Sequence, residues 1–202
     1  MDESVNKGKL SLDLLVGLSI FLFTFIFVAS FLPGVFADVR NEINLAHQAY
    51  RIAALLAEDP GYPSDWESEV NLTNCKSVEF RPGLIVFNAG SGKSYNNLNL
   101  TKVEKFAELL NNTTCREEVK KYLGLNLSPF GSPIVYRMSV SLKNLSGAIL
   151  TNNSEVTLNH GDQEKSAQVI KFERIVYLDR SVDNCDLIAN RCVAKLEVRI
   201  WT

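Results

Sequence analysis

Three groups of residues have types and spacings that suggest chemistry at a site. Ala89-Gly90-Ser91-Gly92-Lys93-Ser94 follows the apolar Leu84-Ile85-Val86-Phe87 and resembles the end of a loop whose backbone amides cradle a phosphate. The spacing argues against it, because Phe87 stands where the first glycine is needed and Tyr95-Asn96-Asn97 does not open an apolar helix. A glycine-rich turn is expected instead. Asp179, Asp183 and Asp186 could offer oxygens to calcium, but no glycine-centred ligand pattern accompanies them, and they read as solvated loop acids. The two histidines, His47 and His160, fall in different segments, and no thiol pair has zinc-ligand spacing. With no nucleophile set beside a base, neither catalysis nor a cofactor or metal is expected.

The four cysteines and the asparagines point to a compartment rather than to a reaction. Cys75, Cys115, Cys185 and Cys192 allow three disulfide pairings. Cys185 and Cys192 bracket a short loop between two predicted strands, so a local bridge is the first choice there, with Cys75 then left for Cys115. Closing such a short loop stabilises by about 2 to 3 kcal/mol. Asn-x-Ser/Thr, the acceptor pattern for a glycan, occurs at Asn71, Asn99, Asn111, Asn112, Asn126, Asn144 and Asn152, with Pro129 weakening the site at Asn126. Cysteines and acceptors together suit the exterior of a cell. Lys and Arg number 21 against 23 Asp and Glu, a net charge of -2, so no broad basic field exists for nucleic acid.

All of these residues lie beyond Leu14 to Phe36, a run of 23 residues without a charge. At about 1.5 Å per residue a helix of that length crosses a hydrocarbon core of about 30 Å. Val35-Phe36-Ala37 puts bulk where a secretory cleavage site needs small residues, so the run is expected to be retained. Just ahead of it stands Lys7-Gly8-Lys9-Leu10-Ser11-Leu12-Asp13. A lone carboxylate at the edge of hydrocarbon is costly unless it is paired or reaches water.

This N-terminal arrangement resembles the class III signal peptide of archaeal type IV pilins. The resemblance implies that a prepilin peptidase cuts between Gly8 and Lys9 and leaves the apolar helix in place. Ser11 then becomes the third mature residue and Asp13 the fifth, where the family usually has glutamate, while Lys9 stands where many members have glutamine. The new α-amino group, with a reference pKa of about 7.7 to 8.0, would be largely protonated at neutral pH and could neutralise Asp13 of a neighbouring subunit. The partners implied are other pilin subunits, an assembly ATPase and a polytopic membrane platform, and the role implied is that of a major or minor subunit of a surface filament. The alternative is an anchored adhesion protein that binds a surface without polymerising. Lys7 and Lys9 before the span and Arg40 after it, together with the cysteines and acceptors, place the N-terminus inside and the C-terminus outside.

The elements that must position these residues follow from periodicity. Val39, Ile43, Ala46, Tyr50, Ala53 and Ala57 form a stripe at helical spacing, widened by Leu45, Ile52, Leu55 and Leu56, so the helix is expected to continue to Asp59 and stop at Asp59-Pro60-Gly61. Pro33 and Gly34 mark a place for a kink. Ser77 to Phe80 and Leu84 to Phe87 are predicted strands around an Arg81-Pro82-Gly83 turn. Thr101 or Asn99 is expected to cap a helix through Leu110, and Thr114 another through Leu123 that ends at Gly124. Ile134 to Leu142 and Val193 to Trp201 alternate apolar with polar, and strands are also predicted from Glu155 to Leu158 and from Gln168 to Leu178. The expected organisation is a leader over residues 1–8, a helix over 9–59 with its membrane part at 14–36, and an ectodomain over 60–202. The fold class is α+β, a long N-terminal helix with a C-terminal antiparallel sheet, the layout of pilins.

Overall fold

A computed structural model describes residues 3–90, 92–126, 136–153, 155–163 and 168–202, with the backbone alone at 3–11 and 37–42. Two units are present, Met1–Asn44 and Leu45–Thr202. Helix α1 (Glu3–Glu58) supplies the whole described part of the first, and its helical backbone continues through Pro33.

In the second unit the last turns of α1 bury Leu45, Ala49, Ile52, Ala53, Leu56 and Ala57. Three alanines on that stripe let the helix backbone approach its neighbours closely, and Tyr50 meets Phe172 edge-on at 5.3 Å between ring centroids. The helix stops where sequence requires it. Asp59 Oδ1 accepts from the Gly61 amide at 2.8 Å and from Arg81 at 3.1 Å, while Lys93 lies 3.4 Å from Oδ2. Strand β1 (Gly61–Tyr62) then pairs with β2 (Arg81–Pro82), around a short helix α2 (Trp66–Glu69). Trp66 donates its indole N–H to the Gly83 carbonyl at 2.9 Å. Both glycines of this clasp are dictated by space: a Cβ at Gly83 would collide with the Asp59 backbone, and one at Gly61 with the Trp66 ring. Lys102, 2% exposed, closes the clasp by donating to the carbonyls of Pro60 at 2.7 Å and Ser64 at 2.6 Å. Burial pulls this lysine below its ordinary pKa, against the opposing charges of Glu67, Asp65 and Asp59.

The main sheet has seven strands. Along its path lie β3 (Ile85–Asn88), β4 (Gly92–Leu98), β9 (Ile170–Leu178), β11 (Arg191–Trp201), β5 (Arg137–Lys143) and β8 (Asn159–Gly161), with β10 (Asp186–Ile188) also paired to β11. A separate hairpin joins β6 (Thr151–Asn152) to β7 (Glu155–Val156). One face of the sheet is apolar, with Met138, Val140, Leu142, Leu196, Val198 and Ile200 buried against α1, α3 (Leu100–Asn111) and α4 (Thr113–Tyr122). The unit is therefore a helix layer on a sheet layer, as α+β patterning implies.

Several expectations need correction. The sheet is mixed rather than antiparallel: β4 and β9 run parallel, pairing Asn97 with Tyr177 and Leu98 with Leu178. The long return through α3, α4 and β5 to β8 makes that possible, since parallel strands need an extended crossover. The sheet also draws on residues 85–98, outside the C-terminal third. Ser77 to Phe80 is not a strand, and Arg81-Pro82 is the strand β2 rather than a turn. The stretch from Glu155 to Leu158 divides, its first two residues forming β7 while β8 begins at Asn159. Ile134 and Val135 of the predicted strand lie outside the described residues. The caps are Asn99 for α3 and Asn112, not Thr114, for α4.

On the sheet's other face Glu197, 3% exposed, accepts through Oε1 from Lys143 at 2.7 Å, Arg199 at 2.8 Å and Ser141 at 3.3 Å. Burial raises its pKa, but Lys143 and Arg199 outweigh burial and hold it below the ordinary glutamate value. At Asp59, likewise, burial raises the pKa while the Gly61 amide, Arg81 and Lys93 bring it down overall. A depressed carboxylate contributes stability that is complete above its unfolded pKa, about 4, and is lost as pH falls through the lower folded value. The stability of the detergent-solubilised chain should thus fall steeply below about pH 4. Replacing Glu197 with Gln should flatten that acid limb.

Candidate functional site

The most unusual surface of the molecule is the apolar part of α1. Leu12–Phe36 is 25 residues long and reaches a mean hydropathy of 2.5 over an 18-residue window, and none of it is buried. Large side chains are exposed on every side of the helix, among them Leu14, Ile20, Phe23, Phe27 and Phe36. A helix apolar all round belongs inside a protein core or a lipid layer. Two of its hydroxyls bond back to the helix: Ser19 donates to the Leu15 carbonyl at 2.8 Å, and Thr24 to those of Ile20 at 2.8 Å and Phe21 at 2.9 Å. Phenylalanines four apart, Phe21 with Phe25 and Phe27 with Phe31, stack along the surface. By length and composition this helix suits a membrane anchor or a signal sequence.

The polar margin sits on the same element. Gly8, Lys9, Ser11 and Asp13 all fall within the helical backbone of α1. Asp13 is exposed, one residue inside the apolar window that begins at Leu12. The structure thus places the four residues within two turns of one another, at the edge of the apolar surface.

The remaining sequence-derived positions lie in the second unit. Disulfides join Cys75 to Cys115, with Cα atoms 5.6 Å apart, and Cys185 to Cys192, with Cα atoms 5.7 Å apart. The first staples the turn after α2 to the first turn of α4. The second closes the β10–β11 hairpin. Of the loop acids, Asp179 accepts from the Leu100 amide at 2.9 Å and Asp186 from the Leu145 amide at 2.6 Å, so their carboxylates serve the backbone. Asp183 bonds through its own amide to the Thr151 carbonyl. Residues 92–94 of the glycine-rich segment enter β4.

The glycan acceptors prove to have a second occupation. Asn99 Oδ1 accepts from the Thr101 and Lys102 amides, and Asn112 Oδ1 from those of Thr114 and Cys115, each capping a helix. Asn71 accepts from Thr73 and Asn74, and Asn144 from Ser146 and Ala148, so both organise turns. Asn152 Nδ2, the atom a glycan would occupy, donates to Glu104 at 2.7 Å. Asn111 ends α3 and is exposed. Asn126 is exposed, but Ser128 of its acceptor pattern lies outside the described residues. An Asn followed at the second position by Thr is also what a helix cap looks like, which is the signal that would have separated the two uses.

A protein of Archaeoglobus fulgidus named "Uncharacterized protein" is 52% identical over 197 residues, spanning 97% of this chain and 98% of its own length. The two chains belong to one family. The description "Family of unknown function (DUF7287)" matches residues 5–81. That stretch carries α1, the Asp59 stop, β1, α2 and the first residue of β2, so the family match covers the apolar helix together with most of the clasp that ends it. No solved structure matches the chain.

Capping and glycosylation can be separated at Asn112. Asn112→Ala should lower stability by about 1 kcal/mol through loss of the cap, whereas Asn112→Asp, which keeps the acceptor oxygen, should leave it nearly unchanged. Thermal melting reads the cap. Intact mass reads the glycan, which both replacements would remove.

Proposed function

We propose that this chain is a structural subunit, major or minor, of an archaeal type IV pilus-like surface filament, held in the membrane before assembly by residues 14–36. The observation that carries the reading is the fully exposed apolar helix with Gly8, Lys9, Ser11 and Asp13 at its margin. A plain anchor needs the apolar length alone, and has no use for a carboxylate one residue inside it.

In this reading the leader is removed between Gly8 and Lys9, and the apolar segment later leaves lipid for a bundle of like segments. Lipid is no less apolar than such a bundle, so burial alone does not drive the transfer; close packing and an ATP-driven motor supply the rest. Asp13 then meets the α-amino group of a neighbour, which cancels its charge as it leaves the headgroup region. The second unit is carried outside the cell, where its disulfides are stable. The internally bonded hydroxyls of Ser19 and Thr24 support the reading, because they add no unsatisfied polar group to either environment.

N-terminal sequencing of the mature protein is expected to begin at Lys9. A start at Met1, or one after Ala37, contradicts the proposal. Asp13→Ala should remove the chain from filaments at least about tenfold while leaving membrane insertion unchanged, as quantified from sheared filaments and membranes; undiminished incorporation argues for a simple anchored binding protein.

A further inference from the structure

The face of the main sheet turned away from the helices carries charge in rows. On β11 the core side holds Ala194, Leu196, Val198 and Ile200, which leaves Lys195, Glu197 and Arg199 on the opposite side. Register sets Lys195 directly across from Lys143, Glu197 across from Glu173, and Arg199 across from Lys171. Like charges directly opposed across strands destabilise a sheet. Contacts along and across the strands relieve part of this: Lys143 reaches Glu197 diagonally from β5, Arg199 reaches it along β11, and Lys171 reaches Glu173 along β9 at 3.0 Å. Lys195 has no ion pair among the described residues, nor does Arg137, which stands on the same side at the end of β5.

Among the described residues this face carries six cations, Arg137, Lys143, Lys171, Arg191, Lys195 and Arg199, against three carboxylates, Glu173, Asp186 and Glu197. The whole chain has 21 Lys and Arg against 23 Asp and Glu, so removing these six and three leaves 15 against 20. The face is basic and the rest of the same molecule is acidic. Part of that acidity lies beside α3, where Glu104, Asn152, Asn153, Glu155, Val156 and Thr157 line an open groove of about 550 Å³ with no cation among the described residues that line it. Its polar lining consists of carboxylates, amides and a hydroxyl, all able to accept from an ammonium group. Thr157 is 3% exposed, and its Oγ1 has no hydrogen-bond partner among the described residues.

We infer that the basic sheet face around Lys171 and Lys195 of one copy docks on the Glu104–Glu155 groove of the next copy. This inference rests on the filament reading and names a contact between second units. The two patches are different surfaces of one chain, so the contact is heterologous. Repeated, such a contact closes into a ring or continues as an open helical array. Complementary charge also sets register and excludes a copy turned the wrong way, where like charges would meet.

Charge exchange in the full-length chain, expressed in an archaeal host, tests it. Lys171→Glu with Lys195→Glu should cut the amount of assembled filament at least about tenfold, and so should Glu104→Lys with Glu155→Lys. All four replacements together should restore assembly to within about threefold of the parent, which a folding defect could not do. If the parent assembles and either reversed pair assembles equally well, or the fourfold variant stays defective, the docking is refuted while the filament reading stands. A parent that remains as single copies in the membrane refutes both. Normal filaments that lose attachment to acidic polysaccharide on reversal of the sheet face assign that face to a different partner and refute the contact.

Discussion

Everything in this molecule answers to one constraint: a helix that exposes apolar side chains on all sides over Leu12–Phe36 cannot be left in water. Seventeen large apolar residues are exposed there. At about 1.5 to 3 kcal/mol for each, the burial they forgo is on the order of 25 to 50 kcal/mol, well above the roughly 5 to 15 kcal/mol that holds a domain folded. Something must cover that surface. Lipid and like helices are the two covers of matching chemistry. A carboxylate at the rim is tolerable in the first because it reaches the headgroups, and in the second only if a cation comes with it.

The second unit has a hydrophobic core of its own. Its core is closed by α1's last turns on one side of a seven-stranded sheet, and its stability draws on polar devices concentrated where α1 ends. Asp59, Lys102, Gly61 and Gly83 form a clasp in which each group is committed: the aspartate to an amide and an arginine, the lysine to two carbonyls, the glycines to space that a Cβ would fill. One disulfide then ties the turn after α2 to α4, and the other closes the β10–β11 hairpin. A buried lysine is a poor source of stability in itself. Here it orients the turn through which the chain passes from helix to sheet.

Where sequence made the fold legible, the signal was periodic and long. The apolar run, the helical stripe to Ala57 and the alternation in β9 and β11 depend on repeated burial, and burial is what composition reports best. The losses fall where local chemistry and tertiary pairing disagree. Strand β4 contains Asn96 and Asn97 and bulges against β3, with Asn96 at φ 57°, so its composition reads as a loop although β9 claims it as a neighbour. The β10–β11 turn uses Ala189 and Asn190, both at positive φ, in place of the usual glycine-containing pair, which hid the hairpin. The candidate site divides in the same way. Its apolar length and its rim, from Gly8 to Asp13, are sequence features outright. The like-charge rows of Lys143 with Lys195 and Lys171 with Arg199 exist only once register is known, since no spacing along the chain brings those pairs together.

The claim on which the rest turns is that the apolar helix passes from lipid into a bundle of its own kind. Electron microscopy of cells with and without this protein, using gold-labelled antibody to the second unit, addresses it directly. Filaments that carry the label along their length and vanish or shorten when the protein is removed are the expected result. Label confined to the cell envelope, with surface filaments unchanged by removal of the protein, would contradict it.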